Sequence, residues 1–406
     1  MKYIIVLGDG MADEPIPSLG GRTPIQAADT PAMDWLAAHG RCGRLHTVPA
    51  GFEPGSEIAN MAILGYDLPT VFEGRGSLEA ASMGVDILPG EMAMRCNLIC
   101  IEDGKIKNHS AGHISSEEAH ELIDVLQQEL GDEIVHFYPG VSYRHLLKIK
   151  GGDKHLHCTP PHDVPGAPFR DVLVRPLDPK ATDTAYLINR LIIRSQEILP
   201  LHPVNLRRKA EGKDMANSIW PWSPGYKPCM EPLSSHFGIK SGAVISAVDL
   251  IKGIGVYAGL RSIDVPGATG LYDTDYEGKV AAAIEALKTD DFVYLHIEAS
   301  DEAGHEGNAE LKKTTVEYLD HRVLRPLLSA ADSFGEPLTI ALLPDHPTPC
   351  RLKTHTNAPI PFIIYKPGET PDSVQVYDED SVSDGYYGTL SGNEFIHAFF
   401  CRPRIG

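Results

Sequence analysis

Five short apolar runs, each closed by a turn rich in glycine, proline or acid, constrain this chain more than any other feature. They cover residues 3–7, 243–248, 292–297, 339–343 and 361–365. Runs this short, without polar alternation, read as strands buried on both faces, the condition met in a mostly parallel sheet. Helical patterns lie between them. Leu187, Ile188, Leu191, Ile192, Ile198 and Leu199 make one stripe, and residues 281–287 close the segment "GKVAAAIEAL". Alternating buried strands and amphipathic helices predict an α/β fold with helices on both faces of the sheet.

Residues 91–178 read differently. "EMAMRCNLICIEDGKIKNHSAGHI" has the pattern of a hairpin turning at Asp103-Gly104. Ser115 to Glu118 then supplies a capping box for an amphipathic helix. "IVHFYPGVSYRHLLKIKG" adds a strand pair and "TPPHDVPGAP" a Pro-rich linker. The expectation is a smaller α+β domain, 91–178, inserted into a larger one made of 1–90 and 179–406.

Composition narrows the class. A net charge of −19 opposes sequence-independent nucleic-acid binding, which needs clustered cations against phosphate. Seven cysteines without a CxxC pair suggest reduced thiols and a cytoplasmic setting. No stretch approaches the ~20 apolar residues of a membrane span. The N-terminal apolar run ends at Gly-Asp-Gly, too short for a signal peptide. The number of subunits stays open.

Ligand-type side chains follow four of the strand or helix boundaries, where open α/β sheets form their sites. Asp9 lies in "IIVLGDGM". Ser56 follows Gly55 at the start of an apolar helical stretch in "PAGFEPGSEIANMAILGY". Asp301 and His305, four apart in "YLHIEASDEAGHEGN", share a face if a helical turn forms. Asp345 and His346 end the run "IALLPDHPTPC", and His355 follows nine residues on. Taken singly, each has an ordinary reading: a turn aspartate, an N-cap serine, a solvated loop histidine. Jointly they supply three Asp, three His and one Ser, an inventory that fits two adjacent divalent ions. Mn²⁺ or Zn²⁺ suits the mixed nitrogen and oxygen donors, with Co²⁺ or Mg²⁺ as further candidates. Two such ions would clamp the attacking and leaving oxygens of a phosphoryl displacement, and one on Ser56 would make its hydroxyl a nucleophile.

The segments "LGDGMAD", "PGSEIAN", "LGYDL", "EGRGSLEAASMGVDI", "MRCN", "GVSYRHLL", "PHD", "DEAGHEGN" and "PDHPTP" resemble the archaeal-type cofactor-independent phosphoglycerate mutases of the alkaline phosphatase superfamily. The resemblance runs from residue 3 to about 365. It implies an alkaline-phosphatase-like metal domain, an inserted substrate domain, and a small phosphorylated substrate. Ser56 would accept the phosphoryl group and return it to a different hydroxyl. Asp9, Ser56, Asp345 and His346 would hold one metal, and Asp301, His305 and His355 the other. Arg95, Arg144, His113, Arg75 and Lys252 are the candidate substrate cations. Two segments depart from the mutase pattern. "NHSAGHI" stands where paired arginines are usual, and "ANSIWPWSPGYKP" where a Leu-rich stretch is usual. Both resemble a sister branch proposed to be homoserine kinases, which leaves phosphoryl transfer to a small alcohol as the alternative, with simple phosphomonoester hydrolysis as a third reading.

Overall fold

The runs without polar alternation become strands that are buried along most or all of their length. In a computed structural model describing residues 1–401, Phe292–Ile297 and Leu338–Leu343 are buried along their whole length. They flank Lys2–Gly8 on either side, in parallel. The eight-stranded sheet runs Arg261–Ile263, Gly242–Ile245, Phe292–Ile297, Lys2–Gly8, Leu338–Leu343, Ile360–Tyr365, Arg41–His46, Thr389–Ser391. Ile360–Tyr365 is antiparallel to both its neighbours. The architecture is mixed α/β with a large, mostly parallel sheet, as expected.

The chain forms two compact units, 1–72 with 229–406, and 73–228. The second unit is wider at both ends than the 91–178 segment drawn from sequence. Helix Arg75–Ser82 buries Leu78 and Ala80 beside strand Glu91–Glu102. Helix Thr182–Ile198 places Ile188, Leu191 and Ile192 in this unit's core, and the Ser218–Gly225 strand pairs antiparallel with Glu91–Glu102. Trp220 and Trp222, from the segment that departs from the mutase pattern, are buried there. The expected hairpin is present, with Asp103 and Gly104 both at positive φ between Glu91–Glu102 and Lys105–Asn108.

Helix Ser116–Leu130 is capped by Ser115, whose side chain accepts from the Glu118 N–H. The Glu118 carboxylate is bonded instead to Arg207 and Arg208. Among the described residues no helix is long and apolar enough to cross a membrane.

Trp220 is 1% exposed, and its indole N–H donates to Thr159 O at 2.8 Å, which ties the Pro-rich stretch to this core. Trp220→Ala should lower the second unit's unfolding free energy by about 3–5 kcal/mol, read by far-UV circular dichroism in urea. A loss under ~1 kcal/mol would show that the indole is not part of a packed core.

Candidate active site

Strand register decides which acids meet. Gly8 lies opposite Ile297 and Leu7 opposite Leu343, so three neighbouring strands end level with one another. Asp9 follows the first directly, and Asp345 comes two residues past the third. Asp301 stands in the first turn of helix Ala299–Glu306, just beyond the second. Gly10 lets these turns approach. Its φ is +59°, and a Cβ there would sit 2.4 Å from Asp301 Oδ1. With no side chain in the way, its N–H donates to Asp345 Oδ1 at 3.0 Å.

Ser56 is the first residue of helix Ser56–Ile63, whose N-cap is Gly55. The N-cap reading is therefore not what the structure shows, and the hydroxyl is left for another partner. Its Oγ lies 3.2 Å from His346 Nε2. That nitrogen is 3.6 Å from Asp9 Oδ1 and 3.5 Å from Asp345 Oδ2. His305, one helical turn after Asp301, places Nε2 3.1 Å from Asp301 Oδ2 and 2.9 Å from His355 Nε2. His355 Nε2 is in turn 3.5 Å from Asp301 Oδ1. These distances join the seven nominated residues in two groups, Asp9, Ser56, Asp345 and His346, and Asp301, His305 and His355, with the His346 and His355 ring centroids 4.0 Å apart.

Several neighbours escaped the sequence reading. His296, inside the run "FVYLHI", is fully buried and puts Nε2 3.0 Å from Asp9 Oδ2, with Ser246 Oγ 3.1 Å from its other nitrogen. Asn60, one turn after Ser56, donates to Ser56 O and to Asp345 Oδ2, and accepts from the Tyr294 hydroxyl. Thr348 donates to Asp301 Oδ1 at 2.5 Å and lies 3.3 Å from His346 Nδ1. A histidine in an apolar strand and an asparagine on an apolar helix face were the available signals. Buried polar groups need partners, and here the partners are the acids.

The electrostatics follow from burial. Desolvation, then Asp345 and Asp301, holds the Asp9 pKa well above the usual carboxylate range. Glu298 is pushed up to about 8, first by burial and then by Asp301. Burial lowers His296 to about 4. The hydrogen bond to Asp301 raises His305 to about 9.

These residues fit a cation. Ligand atoms of Asp9, Asp345 and His346 lie within 4.8 Å of one another, as do those of Asp301, His346 and His355. Asp9 Oδ1 is buried without a hydrogen-bond partner. Among the described residues, the basic side chains within ion-pair distance of these three aspartates are histidines, and burial lowers the pKa of two of them, His296 and His346. Buried carboxylates this close to one another need positive charge between them.

The candidate substrate cations divide between the units. Arg95, in the second, bonds Glu79 at 3.0 Å and stacks 5.0 Å from the Trp222 ring. Arg144 and Arg75 both bear on its proton affinity, which is lowered first by burial. Arg144 Nε is buried without a partner. His113 is exposed at φ +52° and close enough to affect His109. Lys252, in the first unit, pairs with Asp264 at 2.6 Å.

In metal-free protein these groups give a two-sided pH profile. The His305 pKa is raised, so its contribution is full below about 6.5 and lost as pH rises through about 9. Glu298, also raised, costs stability as pH climbs from 4.5 to about 8. His296 is depressed, so its contribution is lost as pH falls from 6.5 toward about 4. The melting temperature in chelator should fall on both sides of neutrality, and His305→Gln should make the alkaline limb shallower. A flat profile from neutral pH to about 9, in native and variant alike, would contradict these assignments.

A family model described as 2,3-bisphosphoglycerate-independent phosphoglycerate mutase matches residues 37–205. The chain is 54% identical over 399 residues to a protein of that name from Methanosarcina acetivorans, covering 98% of each. A solved cofactor-independent phosphoglycerate mutase from Thermoplasma acidophilum superposes with a TM-score of 0.69 at 29% identity, over 98% of this chain and 99% of that one. A Pyrococcus horikoshii protein gives 0.83 at 28%, over 98% and 96%. With near-complete coverage at this identity, the chain belongs to the 2,3-bisphosphoglycerate-independent phosphoglycerate mutases.

Proposed function

We propose that the protein interconverts 3-phosphoglycerate and 2-phosphoglycerate by metal-dependent phosphoryl transfer through a phosphoserine at Ser56, acting in the cytoplasm. The single observation that carries this is the Ser56 hydroxyl 3.2 Å from His346 Nε2, at the edge of the cluster of aspartates and histidines. The activity named for the relatives supports the choice of substrate.

Asp9, Ser56, Asp345 and His346 would hold one divalent ion, and Asp301, His305 and His355 a second, both Mn²⁺ or Zn²⁺. Bound there, the ions supply Lewis acidity toward phosphoryl oxygens and lower the pKa of a coordinated hydroxyl. Ser56 Oγ attacks phosphorus as the bond to the substrate oxygen breaks, and that oxygen takes up a proton. The reverse displacement, by the neighbouring glycerate hydroxyl, frees Ser56 again. Asn60, bonded to both Ser56 O and Asp345 Oδ2, fixes the nucleophile's turn relative to the acids. Backbone N–H groups opening helix Ser56–Ile63 favour an anion at this place. Arg75, Arg95, Arg144 and His113 of the second unit, with Lys252 of the first, are the proposed holders of carboxylate and phosphate. The second unit is accordingly the proposed substrate-holding domain.

Protein reloaded with Mn²⁺ should form 2-phosphoglycerate from 3-phosphoglycerate with no bisphosphoglycerate added, and should not phosphorylate homoserine from ATP. Ser56→Ala should lower kcat by at least roughly 10³-fold while the protein melts as before. Turnover persisting in that variant, or phosphohomoserine formed in place of 2-phosphoglycerate, would overturn the assignment.

A further inference from the structure

Lys312 is a fully buried ammonium that touches none of the nominated ligands, yet it fastens the segments that carry them. It sits at 0% exposure in helix Ala309–Tyr318. Its Nζ donates to Ala12 O at 3.1 Å, Thr348 O at 2.8 Å and Asp13 Oδ2 at 2.8 Å. An ammonium has three protons, and all three are placed. Asp13, its side chain 1% exposed, is the counter-charge, and its carboxylate also accepts from the Glu14 and Cys350 N–H groups.

These acceptors come from two turns far apart in sequence. Ala12 and Asp13 continue the turn that begins at Asp9. Thr348 and Cys350 continue the turn that begins at Asp345 and His346. Lys312 itself lies on the helix directly after Ala299–Glu306, which carries Asp301 and His305. One side chain therefore joins three of the four ligand-bearing segments, all but the one that opens at Ser56. The two turns also meet through Thr348 N–H to Ala12 O at 3.2 Å and through bridges from Met11 and Ala12 to Pro347.

Thr348 carries the fastening inward. Lys312 holds its carbonyl, while its hydroxyl donates to Asp301 Oδ1 and lies 3.3 Å from His346 Nδ1. Groups that orient metal ligands from behind usually change metal affinity by about 10–100-fold when removed. An arginine would not substitute, because its planar fork cannot aim three donors at three converging oxygens.

We propose that Lys312, neutralised by Asp13, is a positioning residue for metal binding, acting through Thr348 to keep these three ligand-bearing segments in register. This rests on the metal-dependent reading above and adds to it residues that touch neither ion nor substrate.

The test is Mn²⁺ affinity by titration calorimetry on the full chain, read beside the melting temperature. Lys312→Met alone strands a buried carboxylate, so the informative variant pairs it with Asp13→Asn. The paired variant should fold, bind Mn²⁺ about 10–100-fold more weakly, and regain most of its turnover at saturating Mn²⁺. Thr348→Val, nearly isosteric, should weaken binding similarly, and combining all three changes should cost little more than the larger effect alone. Thr348→Val carries the test by itself if the paired variant does not fold. Affinity within about twofold of native in a folded variant, or full additivity, overturns the positioning role while leaving the metal reading intact. Native protein that binds no Mn²⁺ overturns both.

Discussion

Three buried carboxylates drawn to one place dominate this structure's electrostatics. Asp9, Asp301 and Asp345 belong to segments spread across most of the chain, and parallel pairing to the Lys2–Gly8 strand delivers them together. Left alone they would repel, in surroundings too dry for water to screen them. The protein's own response is visible in the raised pKa of Asp9 and in histidines at 3.0 to 3.6 Å. That response is partial, since Asp9 Oδ1 has no hydrogen-bond partner. A divalent cation is the chemistry that completes it. The same geometry sets Ser56 against His346, so on the proposed reading charge neutralisation and nucleophile placement are one problem.

Much of this was legible in sequence, for a physical reason. Strands buried on both faces must be apolar throughout, so 292–297 and 339–343 announced themselves, and a site at their carboxyl ends followed from sheet topology. The two edge strands, and Arg41–His46 next to one of them, did not. Arg41–His46 carries three basic residues, and Arg261–Ile263 and Thr389–Ser391 are three residues each, mostly exposed or half-buried. Such segments pair because a sheet edge is available, which local pattern does not record.

The limits of the second unit were hidden for a related reason. The stripe on helix Thr182–Ile198 states that one face is apolar, but not which sheet covers it. The Ser218–Gly225 strand contains two prolines, which argued against a sheet position, yet it pairs with Glu91–Glu102 across a register shift. In the site, His296 and Asn60 were missed because each sits in an apolar stretch where a lone polar residue is easily passed over. Their partners lie 287 and 285 residues away, at Asp9 and Asp345, and only the fold brings them close.

The most direct test of the central claim is anomalous diffraction from crystals grown with Mn²⁺, recorded at the manganese edge. The account predicts two peaks, one bounded by Asp9, Ser56, Asp345 and His346, the other by Asp301, His305 and His355. Crystals that diffract well and show no anomalous density among these residues, or show manganese held elsewhere, would contradict it.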